Sequence, residues 1–187
     1  PRDRTGRGSR QAWPPEARAP ECSGVNAASV GGGVIGGGWA ARFLLNGWDV
    51  AVFDPDPEAE RKIGDVLGNA RQSLPMLYET RMPEEGRLRF ASTLEEAVEG
   101  ADYVQESVPE RLDLKLKVYG QIQAACDKDA VIGSSTSGFK PSELQEGVSR
   151  PGQIVVTHPF NPVYLLPLVE LVATPANDTG FVDRAAE

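Results

Sequence analysis

Short apolar runs alternate with longer stretches in which apolar residues recur every three or four positions, and this rhythm holds from Val25 onward. The short runs are Val25–Val30, Asp49–Phe53, Arg87–Ala91, Tyr103–Ser107, Ala130–Gly133, Gln153–Thr157 and Leu168–Val172, each of strand length and bounded by turn-forming residues. Helical patterns lie between them. A glycine-rich turn opens a helix through Trp39 to Leu45, which Asn46-Gly47 can close with a residue at ease in the left-handed region. Pro57, with Glu58 and Glu60 beside it, starts a second helix that keeps Ile63, Val66 and Leu67 at helical spacing and runs to about Leu74. Thr93-Leu94-Glu95-Glu96 has the form of a capping box for a brief helix ending at Gly100. Leu114, Val118, Ile122 and Ala125 make the stripe of a longer helix, Pro141–Gln145 allows a single turn, and a last helix follows Val172. Strand and helix in repetition predict an α/β fold, a doubly wound parallel sheet with helices on both faces.

Residues 1–23 break the rhythm with Arg, Gly and Pro and few apolar side chains, which predicts a disordered tail ahead of one folded domain over residues 24–187. Acids at Asp3, Glu16 and Glu21 make that tail a poor transit peptide. The chain carries 27 acidic against 19 basic side chains, a formal net charge of -8, which argues against nucleic acid or an anionic membrane as partner. No apolar segment is long enough to span a bilayer. Cys22 and Cys126 are far apart and flank no metal-ligand spacing, so neither a disulfide framework nor a metal site is expected, and a reducing cytoplasm is the natural setting.

Gly31-Gly32-Gly33-Val34-Ile35-Gly36 fits G-x-G-x-x-G between an expected strand and an expected helix, the context that turns a weak motif into a strong one. Gly31 permits the tight turn, Gly33 lets backbone approach a pyrophosphate, and Gly36 lets helix and strand pack closely. Amides at Val34 and Ile35 then lie at a helix N-terminus, which favours an anion. Asp54 ends the second strand about twenty residues downstream, where a carboxylate accepts hydrogen bonds from the adenosine ribose and repels a 2′-phosphate. Asp56 is a nearby substitute, and an acidic cap before Pro57 is the structural alternative for either residue. The expected fold is therefore of Rossmann type, and the expected cofactor is NAD rather than NADP.

The chain's one histidine, His158, follows the apolar run Ile154-Val155-Val156, and Glu170 lies beyond a second apolar stretch. An imidazole can take a proton near neutral pH, and a carboxylate on its other nitrogen would fix the tautomer. A lone histidine beside a strand is more often a packed core group, so the pair by itself leaves both readings open.

Gly31 to Ala40, Glu106-Ser107-Val108-Pro109-Glu110, Ser134-Ser135-Thr136-Ser137, His158-Pro159-Phe160-Asn161-Pro162 and Glu170 occur in one order. In that order the chain, from about Val25 onward, resembles the 3-hydroxyacyl-CoA dehydrogenase family. The resemblance implies that His158 is the general base, that Glu170 orients it, and that Ser137 binds near the substrate hydroxyl and the nicotinamide. It implies that Glu110 and Lys115 contact the nicotinamide half of the cofactor. Asn161 is either a further catalytic residue or a turn former between two prolines, and Glu106 and Lys117 are read as solvated neighbours as readily as functional ones. The chemistry implied is NAD-dependent oxidation of the hydroxyl at C3 of a 3-hydroxy acid or ester.

Members that use acyl-CoA carry a long, lysine-bearing helical insertion after the second strand, whereas this chain has a short acidic stretch, Tyr78-Glu79-Thr80-Arg81-Met82-Pro83-Glu84-Glu85. Acid beside a 3′-phosphate is unfavourable. Together with Gln105–Lys115 and Ser137–Leu144, this places the resemblance nearest to members that take a free 3-hydroxy acid bearing a trimethylammonium group, L-carnitine. Oxidation of 3-hydroxybutyryl-CoA or L-gulonate, and a non-catalytic crystallin-like NAD-binding protein, are the alternatives. The family's C-terminal helical domain supplies a substrate-contacting asparagine, closes the cleft and makes the homodimer interface. It is absent from these residues, so the chain reads as a fragment, inactive alone, with apolar surface exposed near Tyr164, Leu165 and Leu166.

Overall fold

The computed structural model describes residues 24–79 and 81–186, so the expected tail over residues 1–23 lies outside the described residues. Seven strands form one sheet: β1 (Asn26–Val30), β2 (Asp49–Phe53), β3 (Leu88–Phe90), β4 (Tyr103–Glu106), β5 (Val131–Ser134), β6 (Ile154–Pro159) and β7 (Val169–Val172). Their spatial order is β3-β2-β1-β4-β5-β6-β7. The first six run parallel, and β7 pairs antiparallel with β6. The fully parallel sheet expected from the pattern therefore ends in one reversed strand. The link from Pro159 to Val169 contains no helix and is shorter than the dozen or so residues, roughly, that a parallel crossover needs.

Among the described residues six α-helices cover the sheet: α1 (Val34–Leu45), α2 (Ala59–Ser73), α3 (Leu94–Val98), α4 (Leu112–Ala125), α5 (Pro141–Leu144) and α6 (Thr179–Ala186). Side chains alternate between faces along each strand, and both faces are buried, which is why the strands read as unbroken apolar runs. Ala27, Val50, Val52, Tyr103 and Val131 pack with α1, α2 and the Phe181 side of α6. Ala28, Val30, Ala51, Val104, Ile132 and Val156 pack with α3, α4 and Leu144 of α5.

Local chemistry sets the ends of these elements. Gly47, at φ +86, takes the left-handed position after α1 and donates its amide to Leu44 O at 3.0 Å. Thr93 Oγ1 accepts from the Glu96 amide at 3.1 Å, while Glu96 Oε2 reaches back one residue further than a capping box, to the Ser92 amide at 2.9 Å. Pro57 stands before α2 rather than inside its first turn, and Pro75, which lacks an N–H, tightens the end of α2 into a 3-10 turn over Leu74–Leu77. Of the segment expected to be exposed, Leu166 is exposed but Tyr164 and Leu165 are half-buried. No helix among the described residues is long and apolar enough to cross a membrane.

Chain order reverses about β1: β2 and β3 lie to one side of it, β4 to β7 to the other. Such a switch point leaves a crevice at the carboxyl ends of the strands, the usual place for a ligand in an open α/β sheet. The glycine loop, Asp54, Glu110, Ser137 and His158 all follow or end strands at that edge.

Candidate functional site

The three glycines of the loop have three different surroundings. Gly31 leaves β1 at φ +99, and a Cβ there would stand 2.7 Å from Ser107 O. A Cβ on Gly36 would lie 1.8 Å from Gly31 O, so only glycine lets α1 come this close to the strand it follows. Around Gly33 a Cβ would meet nothing within 4 Å. The middle glycine thus borders open space at the start of α1, whose first turn carries no acid and whose amide dipoles favour an anion. Val34 is exposed there, and Ile35 turns inward against the core. Ser29, which the motif does not include, is buried beneath the loop and donates its hydroxyl to Gly36 O at 3.2 Å.

Asp54 and Asp56 divide the roles that the sequence left open between them. Asp54, half-buried, accepts from the Gly32 amide with Oδ2 and from the Asp56 amide with Oδ1 at 2.8 Å, so it lies against the glycine loop. Asp56 accepts from Lys62 Nζ at 2.6 Å and from the Glu58 amide at 2.9 Å, which shapes the turn into α2. The Lys62 ammonium and then the Glu58 amide hold its carboxyl below the usual range.

Beyond β4 and β5 two loops are tied together through Glu110. One of its oxygens, Oε1, accepts from the Thr136 hydroxyl, from the Ser137 amide at 3.1 Å and from the Gly138 amide at 2.9 Å. Its other oxygen, Oε2, lies 3.4 Å from Lys115 Nζ. Burial pushes the Glu110 carboxyl up, but Thr136, Gly138, Lys115 and Ser137 together outweigh it and hold it below its ordinary value. Lys115 is 1% exposed, whereas the Glu110 side chain is 40% exposed.

Glu106 is not a solvated neighbour. It is 0% exposed and accepts from Lys115, Val108, Tyr119 and Ser134, whereas Lys117 is exposed as the alternative reading allowed. Beside it, burial pushes the Tyr119 hydroxyl well above its ordinary pKa, and the neighbouring Glu106 carboxylate adds to this. A second polar layer joins Tyr103, Gln105, Ser135 and Thr157 across β4, β5 and β6. Burial pushes Tyr103 up to about 12 against the lowering effect of the Thr157 hydroxyl. In the amino-acid pattern these polar layers show only where Gln105, Glu106 and Thr157 interrupt apolar strands.

His158 Nδ1 lies 2.8 Å from Glu170 Oε2 across the β6–β7 pair. The imidazole is 30% exposed, its ring centroid 6.0 Å from that of Phe160. Ser137 is exposed on the loop that Glu110 pins, and Asn161 is exposed just past β6, at the cis bond to Pro162. Among the described residues neither side chain hydrogen-bonds to His158 or Glu170.

A family model described as the NAD binding domain of 3-hydroxyacyl-CoA dehydrogenase matches residues 26–187. The chain is 74% identical over 163 residues to an L-carnitine dehydrogenase/betainyl-CoA thioesterase of Ruegeria pomeroyi, covering 87% of this chain and 34% of that protein. It is 52% identical to an L-carnitine dehydrogenase of Pseudomonas putida over 78% of this chain and 45% of that one. The chain thus spans between a third and a half of the length of these two relatives. Among solved structures, FHMPC 5-dehydrogenase, an NAD+ dependent dismutase, aligns with a TM-score of 0.77 at 32% identity, over 85% of this chain and 52% of that one. The 3-hydroxybutyryl-CoA dehydrogenase of Escherichia coli K12 shares the fold, with a TM-score of 0.76 at 24% identity over 86% of this chain and 35% of that one. With nearly all of its described residues matched, the chain belongs to the 3-hydroxyacyl-CoA dehydrogenase family and spans that family's NAD-binding domain.

Proposed function

We propose that the chain is the cofactor-binding part of an NAD-dependent dehydrogenase that oxidises the 3-hydroxyl of L-carnitine to give 3-dehydrocarnitine. The observation that carries this reading is the His158–Glu170 pair, set at the same sheet edge as the glycine loop. NAD, when bound, supplies the hydride acceptor. The residues present fit it: the open space over Gly33 admits a pyrophosphate, the start of α1 stabilises its charge, and Asp54 is placed for ribose hydroxyls.

Glu170 accepts a hydrogen bond from Nδ1–H of His158, which leaves Nε2 to take the substrate hydroxyl proton. The same carboxylate stabilises the imidazolium that results. Ser137, held by its amide, offers a hydroxyl to the substrate oxygen. Asn161 offers an amide on the segment just past the base, and Glu110, paired with the buried Lys115 beneath it, lines the nicotinamide half.

The names of the relatives support L-carnitine as the substrate. The link between α2 and β3 supports it too. The described residues of that link beyond Leu77 are irregular, Glu79 and Glu84 are exposed, and Glu85 is tied to Arg71 at 2.7 Å, a poor resting place for a nucleotide 3′-phosphate. In a polypeptide of the relatives' length that carries this domain, NADH formation should be fastest with L-carnitine when L-gulonate and 3-hydroxybutyryl-CoA are assayed beside it. A preference for either of those two overturns the substrate, and no NADH with any of them overturns the reading as a whole.

A further inference from the structure

We propose that Glu106 is a positioning residue that, through Lys115, sets the orientation of the Glu110 carboxylate and so the geometry of the Ser137 loop. The functional half of this inference rests on the NAD-dependent reading above.

Glu106 ends β4 with both oxygens fully engaged. Oε1 accepts from Lys115 Nζ at 2.7 Å and from the Val108 amide at 2.8 Å; Oε2 accepts from the Tyr119 hydroxyl at 2.5 Å and the Ser134 hydroxyl at 2.8 Å. Its place is therefore fixed from β4 itself, from the loop after it, from α4 and from β5. Lys115 is buried between two carboxylates, close to Glu106 and 3.4 Å from Glu110 Oε2, with Val108 O at 3.3 Å as a third acceptor. Glu110 divides its oxygens in the same way. Oε2 faces Lys115 and Oε1 alone holds Thr136, Ser137 and Gly138.

That division makes the arrangement directional. A buried ammonium that loses one carboxylate turns to the other, because leaving it unpaired is costly. If Glu106 loses its charge, Lys115 closes on Glu110 Oε2, the carboxylate rotates, and Oε1 no longer meets both loop amides. Glu106 lies deep beneath the site, but its charge decides how far Lys115 pulls on Glu110. The remaining ties of the segment do not substitute for Oε1: Thr136 Oγ1 accepts from the Phe139 amide at 3.2 Å, and the Ser135 amide donates to Glu106 O at 2.9 Å, so neither holds Ser137 or Gly138.

Hydrogen–deuterium exchange on the chain, with titrations of NADH and of ADP-ribose, tests this with E106Q. Amides of residues 134–140 should exchange about tenfold faster, as for one lost hydrogen bond to a charged group, while β1 and α1 keep their protection. Affinity for NADH should fall about tenfold and affinity for ADP-ribose, which lacks the nicotinamide, should stay as it was. A purely structural role would loosen the whole sheet and weaken both ligands together, and that outcome overturns the proposal. So does unchanged exchange at Ser137 and Gly138, whatever the ligands do. An unmutated chain that binds neither ligand overturns the cofactor reading, and the functional half of this inference with it. If E106Q does not fold, Y119F removes one donor from Oε2 without changing charge. A smaller rise in exchange confined to the same segment supports the positioning role, and no rise there overturns it.

Discussion

His158 on β6 and Glu170 on β7 stand directly opposite one another in the antiparallel ladder, with Nδ1 of one 2.8 Å from Oε2 of the other. The flanking pairs, Thr157 with Leu171 and Pro159 with Val169, leave no freedom in this register. A slip of one residue would carry Glu170 to the opposite face of the sheet. The reversed direction of β7 therefore has a chemical consequence: it brings a carboxylate from a later strand alongside an imidazole that has no acid on its own strand.

From this pair we expect His158→Gln, in a polypeptide of the relatives' length, to lower turnover by about two to four orders of magnitude with NAD affinity little changed. Glu170→Gln should cost less, because the amide oxygen still accepts a hydrogen bond from Nδ1–H and only the charge is lost. Steady-state NADH production and cofactor titration on both variants check this. Near-normal turnover in His158→Gln would return the residue to the role of a packed structural histidine.

Much of the sheet and part of the candidate site are legible in the sequence, and the division has a physical cause. Strands buried on both faces announce themselves as apolar runs, and Gly31 and Gly36 are required by a left-handed backbone and a close approach that other residues do not satisfy. The direction of β7 is written in the length of a link rather than in its residues. The pairing of Glu106 with Lys115 is not legible locally. A charged residue in a pattern reads as solvated, and nothing local shows that a glutamate at the end of β4 and a lysine on α4 neutralise each other in the interior. The partners of Ser29, Gln105 and Thr157 are hidden for the same reason, since they lie on other strands, a neighbouring loop or the next helix.

Glu110 gives the domain a dependence on pH. Its carboxyl sits below the ordinary value of 4.5 in the folded chain, so folding favours the ionised form. The stability this contributes is fully present above that ordinary value and is lost as pH falls through the lower, folded value. Glu110→Gln should therefore melt below the unmutated chain near neutral pH, with the gap closing under acid conditions. Because its side chain is 40% exposed, solvent screens the effect and the gap should be modest. Thermal melts of both chains across that range decide it, and a gap that stays constant or widens in acid contradicts the assignment.

Asp54 should set the choice of cofactor. Its carboxylate already accepts from the Gly32 amide, which holds it at the mouth of the glycine loop, where it can take ribose hydroxyls and would repel a 2′-phosphate. Asp54→Ala should weaken NADH about tenfold or more, the range for hydrogen bonds to a charged group, and leave NADPH nearly unchanged. Quenching of tryptophan fluorescence follows both titrations. Equal affinity for the two cofactors in the unmutated chain would remove Asp54 from the site.

The glycine loop allows stability and binding to be separated with single methyl groups. At Gly36 an added Cβ meets Gly31 O at 1.8 Å, backbone against which nothing flexible can give way, so Gly36→Ala should destabilise the chain by about 3 kcal/mol or more. At Gly33 the backbone is extended, at φ -67 and ψ -167, and the added Cβ meets nothing within 4 Å, so alanine fits the chain itself. Gly33→Ala should change stability by no more than about 0.5 kcal/mol. The space it fills is the one through which a pyrophosphate would approach the loop amides, and NADH affinity should fall about tenfold or more. Denaturant melts and NADH titration on the two variants read the two effects independently. Gly33→Ala that binds NADH as tightly as the unmutated chain would show that the dinucleotide does not cross the loop at this glycine.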